Sequence, residues 1–270
     1  MEPMIYIILF ILGAAMGSFA MCQVWRMRDW QVSRKKIDWR HDHSHCLHCG
    51  YRLRWFDNIP VVSWLWLRGK CRKCGKAIGA AEILCEVGLG AIFVLSYALW
   101  PFPINGAPDI AQLLLFLLML VGLTMLFVYD LKWKRLPEKP LIFCIICAAV
   151  FAALRLCAAF SVNDILQLIG TIALLPGLYW VLYKASGERL VGGGDWLLAL
   201  PLALVAANFW VAFYILFISN LLGTAVMLPV TTIRKRRKGL ETQICFGPFL
   251  IAGFLIVFFA QNWLLALISL

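Results

Sequence analysis

The chain has 270 residues, of which 63% are apolar, and its mean hydropathy is +0.84. Soluble domains are about 45–50% apolar, so this composition excludes an ordinary soluble domain and indicates an integral membrane protein. The formal net charge is +11, and more than half of the Lys and Arg lie between residues 26 and 76. Such clusters mark cytoplasmic loops of membrane proteins, which makes nucleic-acid binding the weaker explanation of the charge.

The first predicted element is an apolar run over residues 4–25, about long enough to span a bilayer. An acidic residue, Glu2, precedes the run, and the positive charges follow it. A secretory signal peptide has the opposite order. We therefore expect an uncleaved membrane helix whose N-terminus lies outside.

Residues 26–80 form a polar segment of domain length that contains two Cys-x-x-Cys pairs, Cys46 with Cys49 and Cys71 with Cys74. Each pair brings two thiolates onto one turn, and four thiolates form a closed tetrahedral cage that suits structural zinc. A redox dithiol or unmetallated thiols are the alternatives. The other six cysteines lie in or beside apolar runs, where we expect them to pack as small hydrophobic residues.

Four apolar runs follow, at about 83–100, 110–129, 140–158 and 165–183. The connections 101–109 and 159–164 contain no Lys or Arg and are predicted to lie outside, whereas 130–139 and 184–195 are predicted to lie inside.

The uncharged stretch 196–230 is too long for one straight span. A single tilted helix there would also place the basic cluster Arg234–Lys238 outside. We therefore predict a hairpin that turns near Ala207 and Asn208, with a short first arm that begins before Asp195.

A last helix is predicted over residues 244–270. The predicted fold is an all-α polytopic membrane protein with about eight transmembrane helices and a small cytoplasmic zinc-binding insert between helices 1 and 2. The predicted domains are a first helix at 1–25, the insert at 26–80, and a seven-helix membrane domain at 81–270.

Two carboxylates stand out, because ionisable groups at apolar spans are costly and are functional candidates. Asp130 ends the third predicted helix, and Asp195 follows the glycine run Gly192, Gly193 and Gly194. The predicted topology places both at the cytoplasmic side. Two close carboxylates can share a proton and activate water without a metal, as in aspartyl proteases. Alternatively, each Asp simply marks a helix end, with Asp195 favoured by the helix dipole.

The local sequences resemble a known family. The matching segments are Asp130-Leu131 with Pro137-Glu138, Gly-x-Gly-Asp at 192–195, Gly17-Ser18-Phe19, the two Cys-x-x-Cys pairs, Ile59-Pro60, Glu86, and Phe246-Gly247-Pro248. In this order and spacing they are similar to the prepilin peptidases, or type IV leader peptidases, which are GxGD intramembrane aspartyl proteases.

The resemblance implies an aspartic endopeptidase of the bacterial cytoplasmic (inner) membrane, with its active site and insert on the cytoplasmic side. It implies cleavage of the short basic leader of type IV prepilins or pseudopilins, the substrates of type IV pilus and type II secretion assembly. The family commonly also N-methylates the new terminus with S-adenosylmethionine, and Glu86 matches its usual glutamate, a possible methyltransferase or polar site.

Two other classes of function compete with this interpretation. A non-enzymatic, zinc-bearing assembly factor for pili or secretion could use Asp130 and Asp195 structurally or to bind a cation. A proton-coupled transporter also needs intramembrane carboxylates, but transporters usually place them near the midplane of repeated halves. Here both acids are predicted at the cytoplasmic edge and no repeat is evident, which disfavours a transporter.

Overall fold

The computed structural model describes residues 2–33, 44–46, 48–158, 161–187, 192–235 and 245–268. Its helices are α1 (Glu2–Ser33), a 3₁₀ helix (Trp55–Asn58), α2 (Val62–Trp66), α3 (Ala80–Ala98), α4 (Ala107–Trp133), α5 (Glu138–Ala158), α6 (Val162–Ser186), α7 (Gly193–Ala206), α8 (Phe209–Lys235) and α9 (Gly247–Ile268). Part of the basic cluster Arg234–Lys238 lies outside these residues, as do His41 and His43.

Seven of the described helices are long and apolar enough to cross a membrane, namely α1, α3, α4, α5, α6, α8 and α9. The eighth predicted segment is the apolar helix α7, which has only 14 residues. The predicted all-helical, multi-pass membrane fold is therefore confirmed. Helices satisfy their own backbone hydrogen bonds, which is why an apolar chain can cross lipid in this form.

The predicted hairpin is also confirmed. Helix α7 ends at Ala206, and Ala207 adopts a left-handed conformation with φ 45°. The Asn208 side chain then accepts hydrogen bonds from the backbone N–H groups of Trp210 and Val211, at 3.0 and 3.3 Å. These bonds cap the first turn of α8, so one short polar side chain starts the second arm of the hairpin.

The first helix is longer than the prediction, which ended it at residue 25. Helix α1 continues to Ser33, because a polar helical segment can extend beyond the apolar span when no proline or glycine interrupts it. The polar segment between α1 and α3 is correspondingly shorter than predicted.

The chain divides into two compact units, Met1–Ala98 and Leu99–Leu270. In the first unit, α1 packs against α3 at small residues. A Cβ built on Gly13 would lie 2.8 Å from the Gly90 Cα, and one on Gly17 would lie 2.6 Å from the Cys85 carbonyl oxygen. The two backbones therefore touch, as in Gly-x-x-x-Gly contacts between membrane helices.

In the second unit, α4 is the most deeply embedded helix, and it packs against α5 and α9. Helix α7 packs between α5 and α6, and Leu198, Ala199, Leu202 and Ala203 on it are fully buried. Helix α8 packs against α6 and α9. The end of α4 and the start of α7 thereby become neighbours.

We expect Gly17→Ala to destabilise the first unit by about 1–3 kcal/mol, because the added methyl group would meet backbone atoms that cannot turn aside. Gly88→Ala on α3 is the matched control, since a Cβ there meets nothing within 4 Å. Thermal unfolding of both variants in the same detergent measures the difference. Equal melting temperatures would contradict the close α1–α3 contact.

Candidate active site and metal centre

Asp130 lies in the last turn of α4. The helix ends at Trp133, and Lys134 closes it in a left-handed conformation, its N–H donating to the Asp130 carbonyl oxygen at 2.8 Å. The Asp130 side chain is 5% exposed, and its buried Oδ2 atom makes no hydrogen bond of regular geometry among the described residues, although the Gly247 backbone N–H lies near the carboxylate. The charge of Lys134 acts on this carboxylate electrostatically. A buried carboxylate oxygen outside any regular hydrogen bond is unusual and is available for chemistry.

Asp195 lies in the first turn of α7 and is partly buried. Its Oδ2 accepts a hydrogen bond from the backbone N–H of Gly192 at 3.1 Å. The side chain thus reaches back to cap its own helix, where the helix dipole favours negative charge.

The two carboxylates lie within electrostatic range of each other. Asp130 acts on Asp195, and both act on Cys245, two residues before the start of α9. The backbone of Gly247, at the start of α9, lies against Asp130, so that a Cβ built there would be 2.8 Å from Oδ2. The end of α4 and the starts of α7 and α9 therefore enclose one acidic site.

Each of the three glycines at 192–194 lies against a different neighbour. A Cβ on Gly194 would lie 2.9 Å from the Leu136 Cδ1 atom, in the segment that follows α4, and one on Gly193 would lie 3.4 Å from the Tyr183 ring. Gly192 supplies the N–H that Asp195 accepts. The small size of Gly194 thus lets the segment before α7 pack closely against the segment that carries Asp130.

Two polar residues at this site were missed by the sequence analysis. Tyr179 on α6 is buried and interacts electrostatically with Asp195. Its ring packs at a tilt against that of Phe246, with ring centroids 5.4 Å apart. Asn220 on α8 donates from Nδ2 to the Tyr179 hydroxyl at 3.3 Å. The sequence signal that could have identified them is a polar side chain inside an apolar run, which is often functional.

A second cluster of side chains lies in the first unit. The Sγ atoms of Cys46, Cys49, Cys71 and Cys74 all lie within 4.8 Å of one another. The Cys46–Cys74 and Cys49–Cys71 sulfur distances are both 3.9 Å. Four sulfur ligands so close together are suited to hold a metal ion. His45 and His48 are exposed and are not part of this group.

The two cysteine pairs are held by equivalent turns. The N–H of Gly50 donates to the Cys46 carbonyl oxygen, and that of Gly75 donates to the Cys71 carbonyl oxygen, both at 2.9 Å. Both glycines have φ 67°, a left-handed conformation that glycine adopts without strain. Cys-x-x-Cys-Gly, present twice, is therefore the sequence signal for the paired turns.

The thiols differ in acidity. Backbone N–H groups of Cys74 and Lys73 lower the pKa of Cys71 to about 6. At Cys49 the Tyr51 backbone lowers the pKa, but loss of hydration and the three other thiols outweigh this and raise it to about 11. Cys71 is thus readily a thiolate, the form that binds metals.

Glu86 on α3 is 9% exposed, and its Oε2 accepts a hydrogen bond from the backbone N–H of Val61 at 2.7 Å. Val61 has φ 62°, which is strained for a β-branched residue. Glu82, one turn earlier, accepts from the Trp25 indole N–H at 3.3 Å. Both glutamates therefore bind groups of their own unit, and Glu86 ties the polar segment to the membrane helix.

Comparison with known proteins gives the family. Residues 11–100 match the model of the bacterial peptidase A24 N-terminal domain. A prepilin leader peptidase/N-methyltransferase from Dichelobacter nodosus is 34% identical over 78% of this chain and 69% of its own length. The chain belongs to the prepilin leader peptidase/N-methyltransferase family. This confirms the resemblance seen in the motifs.

Other family members match over more of their length. The prepilin leader peptidase/N-methyltransferase of Stutzerimonas stutzeri is 29% identical over 90% of this chain and 86% of its own, and that of Pectobacterium carotovorum subsp. carotovorum is 30% identical over 90% and 88%. No solved structure matches the chain. Matches of this coverage necessarily include the regions of both Asp130 and Asp195.

We expect Gly194→Ala to destabilise the second unit, because its methyl group would press on Leu136, and Leu136→Ala to relieve that pressure. The loss of unfolding free energy in the double variant should be smaller, by about 0.5–3 kcal/mol, than the sum of the losses in the two single variants. Thermal unfolding of the four proteins measures this coupling. Strictly additive costs would show that the two segments do not press on each other.

Proposed function

We propose that the protein is a membrane aspartyl endopeptidase that removes the leader peptide of type IV prepilins or pseudopilins. The observation that carries the proposal is the electrostatic pairing of Asp130 and Asp195 where the end of α4 meets the start of α7, with Oδ2 of Asp130 buried and outside any regular hydrogen bond among the described residues. Family membership supports the substrate class, because the relatives carry the name prepilin leader peptidase.

In the proposed mechanism the two carboxylates share one proton, because two close negative charges are costly. The ionised carboxylate takes a proton from a water molecule, whose oxygen attacks the carbonyl carbon of the leader peptide bond. The protonated carboxylate donates to the carbonyl oxygen. Collapse of this tetrahedral species breaks the C–N bond, and the amine leaves with a proton from the pair.

Each carboxylate has a group that can compensate its negative charge. The Gly192 N–H donates to Asp195, and the ammonium group of Lys134 acts on Asp130. We therefore propose that either member of the pair can carry the charge as the proton moves during turnover.

The site is proposed to face the cytoplasm, in the bacterial inner membrane. The support is the charge pattern, since the connections that carry Lys and Arg are those at the Asp130 and Asp195 ends of the helices.

We expect Asp130→Asn and Asp195→Asn each to lower leader cleavage by at least about 10²-fold, because an amide cannot transfer the proton. Asp164→Asn, in the first turn of α6, is the matched control and should cleave normally. Cleavage of a synthetic prepilin in nanodiscs measures all three, with thermal unfolding to show that each variant is folded.

A folded Asp130→Asn or Asp195→Asn variant that cleaves at the wild-type rate would remove that residue from the mechanism, and the assembly-factor function would then lead. Run with labelled S-adenosylmethionine, the same reaction measures methyl transfer to the new N-terminus. Cleavage without transfer would overturn methylation as a second activity.

N-methylation is the second activity that we propose, supported by the relatives' names. S-adenosylmethionine would supply the methyl group. The Glu86 carboxylate is engaged by the Val61 N–H, so we propose that it holds the insert in place for this activity. The contacts of the described residues do not form a recognisable site for S-adenosylmethionine, and they assign no step of methyl transfer to a side chain.

We further propose that the four cysteines bind zinc. A tetrahedral zinc ion with Zn–S bonds of about 2.3 Å requires sulfurs about 3.8 Å apart. The Cys46–Cys74 and Cys49–Cys71 sulfur distances are 3.9 Å, and all four sulfurs lie within 4.8 Å of one another. Four protein ligands leave no open position, so the zinc would stabilise the insert structurally.

We expect purified protein to contain about one zinc per chain, and Cys46→Ser or Cys71→Ser to lose it, because three thiolates bind zinc more weakly than four. Cys157→Ser is the matched control, since Cys157 is exposed at the end of α5. Metal analysis by mass spectrometry measures the content. Full zinc in both cage variants would contradict the site.

A further inference from the structure

The short helix α2 exposes an apolar face. Val62, Leu65 and Trp66 lie at positions i, i+3 and i+4 and therefore share one side of the helix. Their exposed fractions are 57%, 60% and 80%. The other tryptophan of α2, Trp64, instead packs against Gly69, where a built Cβ would lie 2.8 Å from its ring. The face of Val62, Leu65 and Trp66 is called the α2 face below.

The start of α2 lies beside a helix that is long and apolar enough to cross a membrane. The residue before Val62 is Val61, whose N–H donates to Glu86 at 2.7 Å. Glu86 is six residues into α3, about 9 Å along its axis, and the whole of α3 is a candidate membrane span. The start of α2 is therefore held beside the apolar part of a membrane helix, within the same unit of the chain.

Positive charge borders this face. Arg68 and Lys70 follow α2 directly and are exposed, whereas the Asp57 carboxylate is buried and paired with Arg72 at 2.9 Å. Tryptophan and leucine beside Lys and Arg are the composition of segments that lie in the headgroup region of anionic membranes. The leader of a prepilin is itself basic, so like charges disfavour this face as its binding surface.

We propose that the α2 face is a membrane-docking surface, with Val62, Leu65 and Trp66 inserted among lipid headgroups and Arg68 and Lys70 bound to anionic lipid phosphates. Docking fixes the four-cysteine insert against the bilayer. The proposal is independent of the peptidase activity, because it concerns only the depth of the insert.

The test uses the full protein, labelled with 5-fluorotryptophan, in nanodiscs. Trp66→Phe and Trp64→Phe assign the two fluorine signals. A lipid with a spin label on its headgroup should broaden the Trp66 signal several-fold more than the Trp64 signal, and a water-soluble gadolinium chelate should leave Trp66 nearly unchanged. Comparing nanodiscs with and without anionic lipid separates the contribution of the apolar α2 face to docking from that of Arg68 and Lys70.

The variant Arg68→Gln with Lys70→Gln should reduce the lipid-dependent broadening of Trp66 in anionic nanodiscs and leave it unchanged in zwitterionic ones. Metal content serves as the control for an intact insert. Strong broadening of Trp66 by the aqueous chelate in both kinds of nanodisc would overturn the proposal. So would protection of Trp66 only after a prepilin peptide is added, which would make the face a protein-binding surface.

Discussion

The buried carboxylate of Asp130 is the constraint around which the second unit is arranged. A charge in an apolar interior is costly unless nearby groups compensate it. Here α4 ends at Trp133, less than one turn after this residue, and α7 and α9 begin beside it. Helix N-termini carry partial positive charge, so two of the three helix ends favour a negative charge in the site. The close approach of these ends requires glycine at Gly194 and Gly247, where a side chain would meet Leu136 or Asp130.

The first unit has a different constraint, which is the stability of its polar segment. The polar segment between α1 and α3 is too short to build a hydrophobic core of its own, and small domains of this kind need an additional staple. The four clustered cysteines would supply one by binding the proposed metal ion, and the hydrogen bond from Val61 to Glu86 supplies another. This hydrogen bond helps to hold the backbone of Val61 in its strained conformation with positive φ.

Much of this arrangement could be predicted from the sequence, because apolar length and the positions of Lys and Arg determine the spans and their order. The hairpin at Ala207 and the shared membrane side of Asp130 and Asp195 came from that reasoning alone. The approach of Tyr179 and Asn220 to the site was not predicted, although each polar side chain stands out in an apolar run. Both lie in mainly apolar helices, in which periodicity does not show which face turns inward. The extension of α1 to Ser33 was missed because polar composition alone does not distinguish a loop from a continuing helix.

The length of α7 has a consequence for its place in the membrane. Its 14 residues span about 21 Å, whereas the hydrocarbon core of a bilayer is about 30 Å thick. The helix is therefore about 9 Å too short to cross the core by itself, and its two ends cannot both lie at the membrane surfaces.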